Sequence, residues 1–223
     1  MNAIRIAAGG AIAMLVIGLL SGMDTERGRP AQTPSYEEEH MNDFKKPEKA
    51  ELNEKAGLVA PPAHETAILA GGCFWGMEEI LRKIPGVLDT AVGYSGGTTE
   101  NPTYSDVCSG DTGHAEAIRV EFDSARLTYE ELLNYFFRMH DPTTPNRQHN
   151  DVGTQYRSAI FYTSEAQRKT AEDVKARWDK SGKFRRPVVT EVTRAGTFHP
   201  AEEYHQKYLV KNPGGYTCHV LRD

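Results

Sequence analysis

The chain has 223 residues, a formal net charge of −5 and 26% charged residues, so it suits one domain with extensions or at most two small domains. No basic stripe is present, which excludes nucleic acid as an expected partner. The three cysteines are widely spaced, with no C-x-x-C motif and no paired His/Cys cluster, so neither a zinc site nor a dense disulfide scaffold is expected, and no cofactor is predicted.

Residues 1–22 predict a targeting segment. An uncharged apolar run over residues 6–20 follows Arg5, as in a signal-peptide h-region or a short signal anchor. The protein is therefore expected to be exported to the periplasm. Leu19 and Leu20 stand where a signal peptidase prefers small residues, so cleavage and retention as a membrane anchor both stay open. Residues 23–63 are polar, with charge runs and prolines, which is typical of a solvated linker.

From residue 64 onward, strand and helix patterns alternate. An apolar strand over residues 66–70 leads into a helix that begins near Phe74 and ends at Pro85. Further strands are predicted over residues 87–94, 118–122, 158–162 and 188–193. Capping boxes start helices after Thr128 and Ser164, and Pro200 is expected to open a short helix. The pattern predicts an α+β two-layer domain over residues 64–223.

The motif GCFWG at residues 72–76 places Cys73 where the first strand turns into a helix. Unpaired backbone N–H groups and the helix dipole favour a thiolate there, which lowers the pKa of a cysteine. Gly71 and Gly72 let the backbone turn sharply and let a substrate approach. Cys73 is therefore a candidate nucleophile. The alternative is a small buried hydrophobe, because free cysteine is among the most buried residue types.

Glu116 is a candidate proton donor because of strand phase. It precedes Ile118 by two residues and Val120 by four, so its carboxyl group shares their buried face if the strand begins that early. Burial raises the pKa of a glutamate, and a neutral carboxyl group can donate a proton at pH 7. If the strand begins at Ala117 instead, Glu116 lies in water.

Two long polar segments, residues 95–115 and 140–155, have no clear periodicity and are predicted to be functional loops. Four lone histidines are expected at the surface or as helix caps, because no pair has metal-site spacing with a third ligand: His140, His149, His199 and His205. Cys108 is expected to be a buried thiol without a chemical role.

Six motifs in order resemble the A-type peptide methionine sulfoxide reductases. They are GCFWG at 72–76, GYSGG at 93–97, NPTY at 101–104, TGHAE at 112–116, HDPT at 140–143 and DVGTQYRS at 151–158. The resemblance runs from about residue 66 to the C-terminus. It implies a ferredoxin-like two-layer α/β sandwich and reduction of the S epimer of methionine sulfoxide, free or in oxidised proteins.

The resemblance also implies a role for each matching residue. Cys73 would be the nucleophile, Glu116 the acid, Tyr104 and Tyr156 hydrogen-bond donors to the sulfoxide oxygen, Asp151 a polar neighbour, Phe74 and Trp75 the holders of the substrate methyl group, and Cys218 the resolving cysteine. A thioredoxin or thioredoxin-like dithiol protein would reduce the resulting disulfide. The enzyme is expected to be a monomer.

Two other classes of protein share part of this pattern. A thiol peroxidase would use the same reactive cysteine, but it needs neither a buried carboxyl group nor an aromatic pocket for a methyl group. A non-catalytic exported module would use Phe74 and Trp75 to bind peptides that contain oxidised methionine. A comparison of the turnover of methionine sulfoxide with that of hydrogen peroxide distinguishes the reductase from a thiol peroxidase. Binding of the oxidised peptide without release of methionine identifies a binding module.

Overall fold

The computed structural model describes residues 64–223. The predicted targeting segment and linker lie outside the described residues. The strands are β1 (His64–Gly71), β2 (Val87–Ser95), β3 (Ala115–Asp123), β4 (Arg147–Gln148), β5 (Asp151–Val152), β6 (Ser158–Tyr162), β7 (Glu191–Arg194) and β8 (His199–Pro200). The α-helices are α1 (Phe74–Leu81), α2 (Tyr104–Ser109), α3 (Tyr129–Met139), α4 (Glu165–Lys180) and α5 (Tyr208–Lys211), and a short 3-10 helix spans Thr154–Tyr156. Among these helices, none is long and apolar enough to cross a membrane.

The main sheet has six strands in the order β7-β6-β1-β3-β2-β8. All neighbouring strands are antiparallel except β6 and β7, which are parallel. Strand β1 is central: Leu69 pairs with Ile118 of β3 on one side and with Ile160 of β6 on the other. The end of β1 is therefore held on one side by Ser158, which pairs with Gly71. Strands β4 and β5 form a separate two-stranded ribbon.

Helices α1, α3 and α4 pack against one face of the sheet. Alternate residues of the central strands form this core with the helices, among them Leu69, Ile118, Ile160, Leu133, Phe136 and Trp178. The residues between them face the opposite side and form a smaller cluster that includes Ile68, Ala70, Ala117 and Phe161. This period-two alternation is typical of strands with two covered faces. The predicted α+β class is confirmed by a mixed sheet with helices.

The helix starts follow the predicted caps. The Thr128 hydroxyl accepts a hydrogen bond from the Glu131 backbone N–H, and the Glu131 carboxylate accepts one from the Thr128 N–H. At α4 only half of the box forms. The Ser164 hydroxyl accepts from the Gln167 N–H, but the Gln167 side chain accepts from the Thr163 N–H instead. Each cap satisfies backbone donors that the helix itself leaves unpaired.

Helix α2 lies inside the segment predicted to be a loop. Its six residues are too few to show a helical period in the sequence. A capping box nevertheless marks its start, because the Thr103 hydroxyl accepts from the Asp106 N–H and the Asp106 carboxylate accepts from the Thr103 N–H. The helix ends at Gly110, whose φ of 85° is a conformation that favours glycine.

Two predicted element starts are wrong. Strand β7 begins at Glu191 rather than at Val188, because the Val188 N–H donates to the Asp179 side chain instead of to a neighbouring strand. Pro200 opens no helix: it ends β8, where it pairs with Gly93, and helix α5 begins only at Tyr208. A proline is compatible with an edge strand, since it lacks only the N–H that such a strand leaves unpaired.

Candidate active site

Cys73 occupies the predicted turn between β1 and α1. It is the N-cap residue of α1, with φ −55° and ψ 119°, and its side chain makes no capping hydrogen bond. The side chain is only 6% exposed. Gly72 precedes it with a φ of 104°, and a Cβ at that position would lie 2.6 Å from Gln148 Cγ. Glycine is therefore required for the turn that aims the thiol.

Glu116 is buried directly beneath the start of α1. Strand β3 begins at Ala115, so the predicted strand phase is confirmed, and the side chain is 2% exposed. Its Oε2 accepts a hydrogen bond from the Phe74 backbone N–H over 3.1 Å. Burial raises the pKa of Glu116 to about 8, with a further contribution from Asp151, although the Phe74 N–H opposes this change. The carboxyl group is therefore mostly neutral at pH 7 and holds a proton that it can donate.

The Cys73 thiol does not have the lowered pKa that the helix N-terminus predicts. Burial raises its pKa, and Glu116 raises it further once that carboxyl group is ionised, whereas the hydrogen bond from the Trp75 N–H lowers it by less. One reason is that the first free N–H of α1, that of Phe74, donates to Glu116. Desolvation consequently outweighs the helix terminus, and the thiol is protonated in the resting site.

One cavity of about 130 Å³ brings the predicted site residues together. It is lined by Cys73, Phe74, Trp75, Tyr104, Glu116, Asp151, Tyr156 and Tyr216. Seven of these eight residues were predicted to belong to the site, and Tyr216 was not. Cys218 instead lines a neighbouring cavity of about 360 Å³, and Tyr216 is shared by both cavities.

Two phenol groups enter the cavity from different elements. Tyr104 is the first residue of α2, and its backbone N–H donates to Glu202 Oε1 over 2.9 Å. Tyr156 ends the short 3-10 helix. Burial raises the pKa of both tyrosines, and the neighbouring Glu116 adds to the effect. Both hydroxyl groups therefore keep their protons and can donate hydrogen bonds to an oxygen atom in the cavity.

The aromatic wall of the cavity is held by residues that the sequence did not reveal. Trp75 Nε1 donates to His205 Nδ1 over 3.0 Å, and the indole stacks on Tyr208 with ring centroids 3.8 Å apart. The His205 ring also lies against Phe74 and Tyr104, with centroids 5.2 and 4.5 Å away. His205 is buried, so its predicted surface position is wrong. No local pattern marks it, since its partners are distant in the chain.

The C-terminal tail, residues 214–223, is docked on the domain. The Tyr216 hydroxyl donates to both carboxylate oxygens of Asp151 over 3.0 and 3.1 Å. His219 Nε2 donates to the Gly71 carbonyl over 2.8 Å, and the Arg222 guanidinium donates to the Phe137 carbonyl over 2.9 Å. Cys218 is thereby held half-buried. Burial and then Asp151 raise the pKa of Cys218 to about 12.

One further prediction needs correction. Cys108 is exposed rather than buried, because α2 turns Val107 inward and leaves the next residue at the surface. His140 is a helix cap, as expected, since it ends α3 and its Nδ1 donates to the Phe136 carbonyl over 2.7 Å, but it is fully buried. His149 is exposed, as predicted. Within residues 64–223 no group of three or more His, Cys, Asp or Glu side chains could hold a metal ion.

A thiol beside a neutral carboxyl group and two phenols is the arrangement that nucleophilic catalysis with a proton donor requires. The family model for peptide methionine sulfoxide reductases matches residues 65–223. A protein named peptide methionine sulfoxide reductase MsrA from Methanoculleus marisnigri is 56% identical over 151 residues, which are 68% of this chain and 92% of that protein. The chain therefore belongs to the peptide methionine sulfoxide reductase family and is an enzyme that reduces methionine sulfoxide.

Solved structures agree with this assignment. Mxr1 from Saccharomyces cerevisiae in reduced form is 40% identical, with a TM-score of 0.69 that covers 74% of this chain and 96% of that one. Mxr1 in complex with Trx2 is 26% identical, with a TM-score of 0.50 that covers 76% of this chain and 97% of that one. The resemblance predicted from the six sequence motifs is confirmed.

Proposed function

We propose that this enzyme reduces the S epimer of methionine sulfoxide, free or in oxidised proteins, and that Cys73 and Cys218 form a disulfide in each cycle. The observation that carries the proposal is the cavity in which the Cys73 thiol and the neutral carboxyl group of Glu116 lie together. The aromatic wall supports binding of the substrate methyl group at Phe74 and Trp75, and the tyrosine hydroxyls support binding of the sulfoxide oxygen.

The chemistry begins with activation of the sulfoxide. Its oxygen is a poor leaving group until it is protonated, so attack by the Cys73 sulfur requires an acid within reach of that oxygen. Glu116 supplies this proton, while Tyr104 and Tyr156 stabilise the charge that gathers on the oxygen. The S–O bond of the sulfoxide breaks, and the protonated oxygen is transferred to the Cys73 sulfur. The substrate sulfur thereby gains two electrons and leaves as methionine, while Cys73 loses two and becomes a sulfenic acid. The proton that Cys73 releases returns to Glu116, so no net proton is consumed.

The test of this activity uses one sulfoxide epimer at a time. The parent enzyme is expected to convert methionine S-sulfoxide to methionine and to leave the R epimer and hydrogen peroxide essentially unreacted. Cys73→Ser should be folded and inactive, because no other residue of the cavity can supply the nucleophile. Equal turnover of both epimers, or activity that survives in the Cys73→Ser variant, contradicts the proposal.

Recycling requires a second thiol, and Cys218 is the proposed one. It lies in the cavity next to the substrate site, and the backbone N–H of Cys73 is close enough to lower the pKa of its thiol. Cys218→Ser should still release one equivalent of methionine in a single turnover, but it should not turn over with a dithiol protein. Cys108→Ser is the matched control and should keep both activities, since Cys108 is exposed and a serine hydroxyl can replace its hydrogen bond with the Tyr104 hydroxyl. Normal turnover of the Cys218→Ser variant means that another route reduces the sulfenic acid.

The proposed electron donor is a thioredoxin-like dithiol protein. A thioredoxin role is supported by the solved complex of yeast Mxr1 with Trx2. The apolar run at residues 6–20 supports export, and an exported enzyme cannot use the cytosolic thioredoxin pool directly. The donor is therefore periplasmic or attached to the membrane. Cell fractionation with detection of the full-length chain tests this, and a cytosolic full-length enzyme contradicts it.

The proposed fold family is the ferredoxin-like sandwich. Its support is the succession β1, α1, β2, β3, α3 and β6, in which the four strands are ordered β6-β1-β3-β2. Helix α2 is then an insertion, and β7 and β8 are added at the two edges.

A monomer is proposed for the catalytic domain. Sedimentation equilibrium of the purified protein tests it, and a dimer at micromolar concentration contradicts it.

A further inference from the structure

The thiol of Cys218 lies against a buried histidine. Cys218 Sγ and His219 Nδ1 are 3.4 Å apart, and the other ring nitrogen, Nε2, is 2.8 Å from the Gly71 carbonyl oxygen. A carbonyl oxygen can only accept a hydrogen bond, so the proton of the neutral imidazole is on Nε2. Nδ1 is consequently an acceptor, and the Cys218 thiol is within reach to donate to it. His219 is 5% exposed, so water does not readily compete for this contact.

We propose that His219 is the general base of the resolving step, which removes the Cys218 proton as this sulfur attacks the Cys73 sulfenic acid. The proposal rests on the proposed function, since it requires a disulfide between Cys73 and Cys218. The surroundings of Cys218 explain why the resolving step needs a base. The thiol is half-buried beside the Asp151 carboxylate, and both features disfavour a free thiolate. A thiol in that environment needs a base in contact with it.

The step balances without any further reactant. The Cys218 sulfur attacks the sulfur of the Cys73 sulfenic acid, the S–S bond forms and the S–O bond breaks. The proton of Cys218 passes to His219 Nδ1 during the attack. The imidazolium then returns this proton to the departing hydroxide, which leaves as water. His219 ends the step neutral, and the hydrogen bond from Nε2 to the Gly71 carbonyl persists throughout.

Several charged or titratable groups act on the His219 ring besides Cys218. They are His149 and Asp151 from the ribbon segment, Arg222 from the tail and His140 from the end of α3. Burial is the largest influence and lowers the pKa of His219 to about 4, so the ring is neutral at pH 7. The ring becomes a stronger base only as negative charge develops on the Cys218 sulfur beside Nδ1 during the attack. Asp151 is a second acceptor for the Cys218 thiol, and its carboxylate accepts the Tyr216 hydroxyl as well. Proton transfer to His219, unlike transfer to Asp151, creates a cation beside the developing thiolate.

The discriminating variant is His219→Gln. A glutamine Nε2 can replace the donor to the Gly71 carbonyl and keep the tail docked, but the side chain offers no base at the position of Nδ1. His64→Gln is the matched control, because His64 is exposed at the start of β1. Each full-length protein is reduced and mixed with one equivalent of methionine S-sulfoxide. Methionine release and loss of free thiols are then followed separately, and peptide mapping identifies the disulfide.

All three proteins should release the first equivalent of methionine at similar rates, which shows that the substrate site is intact. Disulfide formation in His219→Gln should be slower by about 10²-fold at pH 7, the scale of a lost general base. Its rate should then rise about tenfold per pH unit with thiolate formation, whereas the parent rate is nearly level from about pH 5.5 to 8. A purely structural role would slow the step equally at every pH. A His219→Gln rate within threefold of the parent at pH 7, or a slower rate with the parent's pH profile, overturns the base assignment.

Failure of the underlying function is distinguishable from failure of this inference. If the parent releases methionine but forms no disulfide between Cys73 and Cys218, the resolving role of Cys218 is wrong, and the inference falls with it. If that disulfide forms in the parent and equally fast in His219→Gln, only the base assignment is wrong.

Discussion

Cys73 and Glu116 each hold a proton in the resting enzyme because each is buried. Burial raises the pKa of Glu116 to about 8 and raises the pKa of the Cys73 thiol as well. The resting site therefore contains a protonated carboxyl group, and the sulfoxide oxygen of the substrate is the group that accepts this proton. Such a site differs from one that stabilises a free thiolate. The rate of the reaction therefore depends on the ionisation of one carboxyl group, that of Glu116.

Replacement of Glu116 tests this acid role. Glu116→Gln keeps a side chain of similar shape but cannot deliver a full proton, so we expect the first methionine release to slow by about 10²–10⁴-fold. The parent rate should fall as pH rises through about 8, where Glu116 ionises, and the variant should lack this fall. Rapid-quench measurement of methionine release from pH 6 to 9 checks both. A variant within threefold of the parent means that a tyrosine or water is the donor.

The same residue predicts a pH dependence of stability. The pKa of Glu116 is about 8 in the folded protein against its ordinary value of 4.5, so the folded state binds the extra proton between these values. The free energy of unfolding should therefore fall as pH rises through this window. From pH 5 to 9 the parent should lose roughly 4 kcal/mol relative to Glu116→Gln, because one pKa unit corresponds to about 1.4 kcal/mol. Urea unfolding of both proteins at the two pH values measures this difference, and parallel curves would rule it out.

At the level of elements, helix α1 contacts both the substrate cavity and the C-terminal tail. Its N-terminus carries Cys73 and binds Glu116 through the Phe74 N–H, while one turn later Gly76 faces the C-terminal tail. A Cβ on Gly76 would lie 2.4 Å from Thr217 Oγ1 and 2.7 Å from His219 Nδ1. The missing side chain therefore gives the tail its place against the helix.

Gly76→Ala should separate the two halves of the reaction. Alanine is favoured in a helix by about 1 kcal/mol, but the contacts below 3.0 Å force the tail to shift. We expect methionine release in the first turnover to persist and disulfide formation to slow by about 10²-fold, the scale of a misplacement by about 1 Å. Gly196→Ala is the control, since nothing lies within 4 Å of a Cβ there. Thiol titration over time measures the step, and equal rates in the two variants would contradict the role of Gly76.

At the scale of the whole molecule, the described residues 64–223 form a hydrophobic core between the sheet and its helices. Strand β1 begins at His64 and lies between β3 and β6, and helices α1, α3 and α4 cover one face of the sheet. The relative from Methanoculleus marisnigri matches this region over 92% of its own length, so a chain close to the size of this domain exists in the family.

Removal of residues 1–63 should therefore leave a folded and active enzyme. We expect a chain that begins with Met followed by His64 to turn over methionine S-sulfoxide within threefold of the parent rate. Its thermal unfolding midpoint should change by only a few degrees. Activity assays and differential scanning calorimetry on both proteins provide the measurement. A shortened chain that aggregates or loses activity would show that the N-terminal segments contribute to the fold.

Short-range pattern determined the main strands, two of the long helices and the position of Cys73, while Glu116 was placed on the buried face only by the observed start of β3 at Ala115. A strand-to-helix turn and a period-two alternation are encoded by neighbours within a few residues, so they can be read directly. The same is true of the capping box at Thr128. The short elements α2 and β8 were not predicted, because a few residues are too few to show a periodic pattern. Pro200 suggested the start of a helix, but it lies in an edge strand.

Only the tertiary structure decided which distant side chains complete the site and which way its proton equilibria move. His205 reaches Trp75 across 130 residues of chain, and His219 reaches Gly71 across 148. No local pattern encodes such contacts, because they depend on how the elements pack. The pKa of Cys73 is the clearest case: its place at a helix N-terminus is local and predicts a lower value, but burial and Glu116 are properties of the packed domain and raise it.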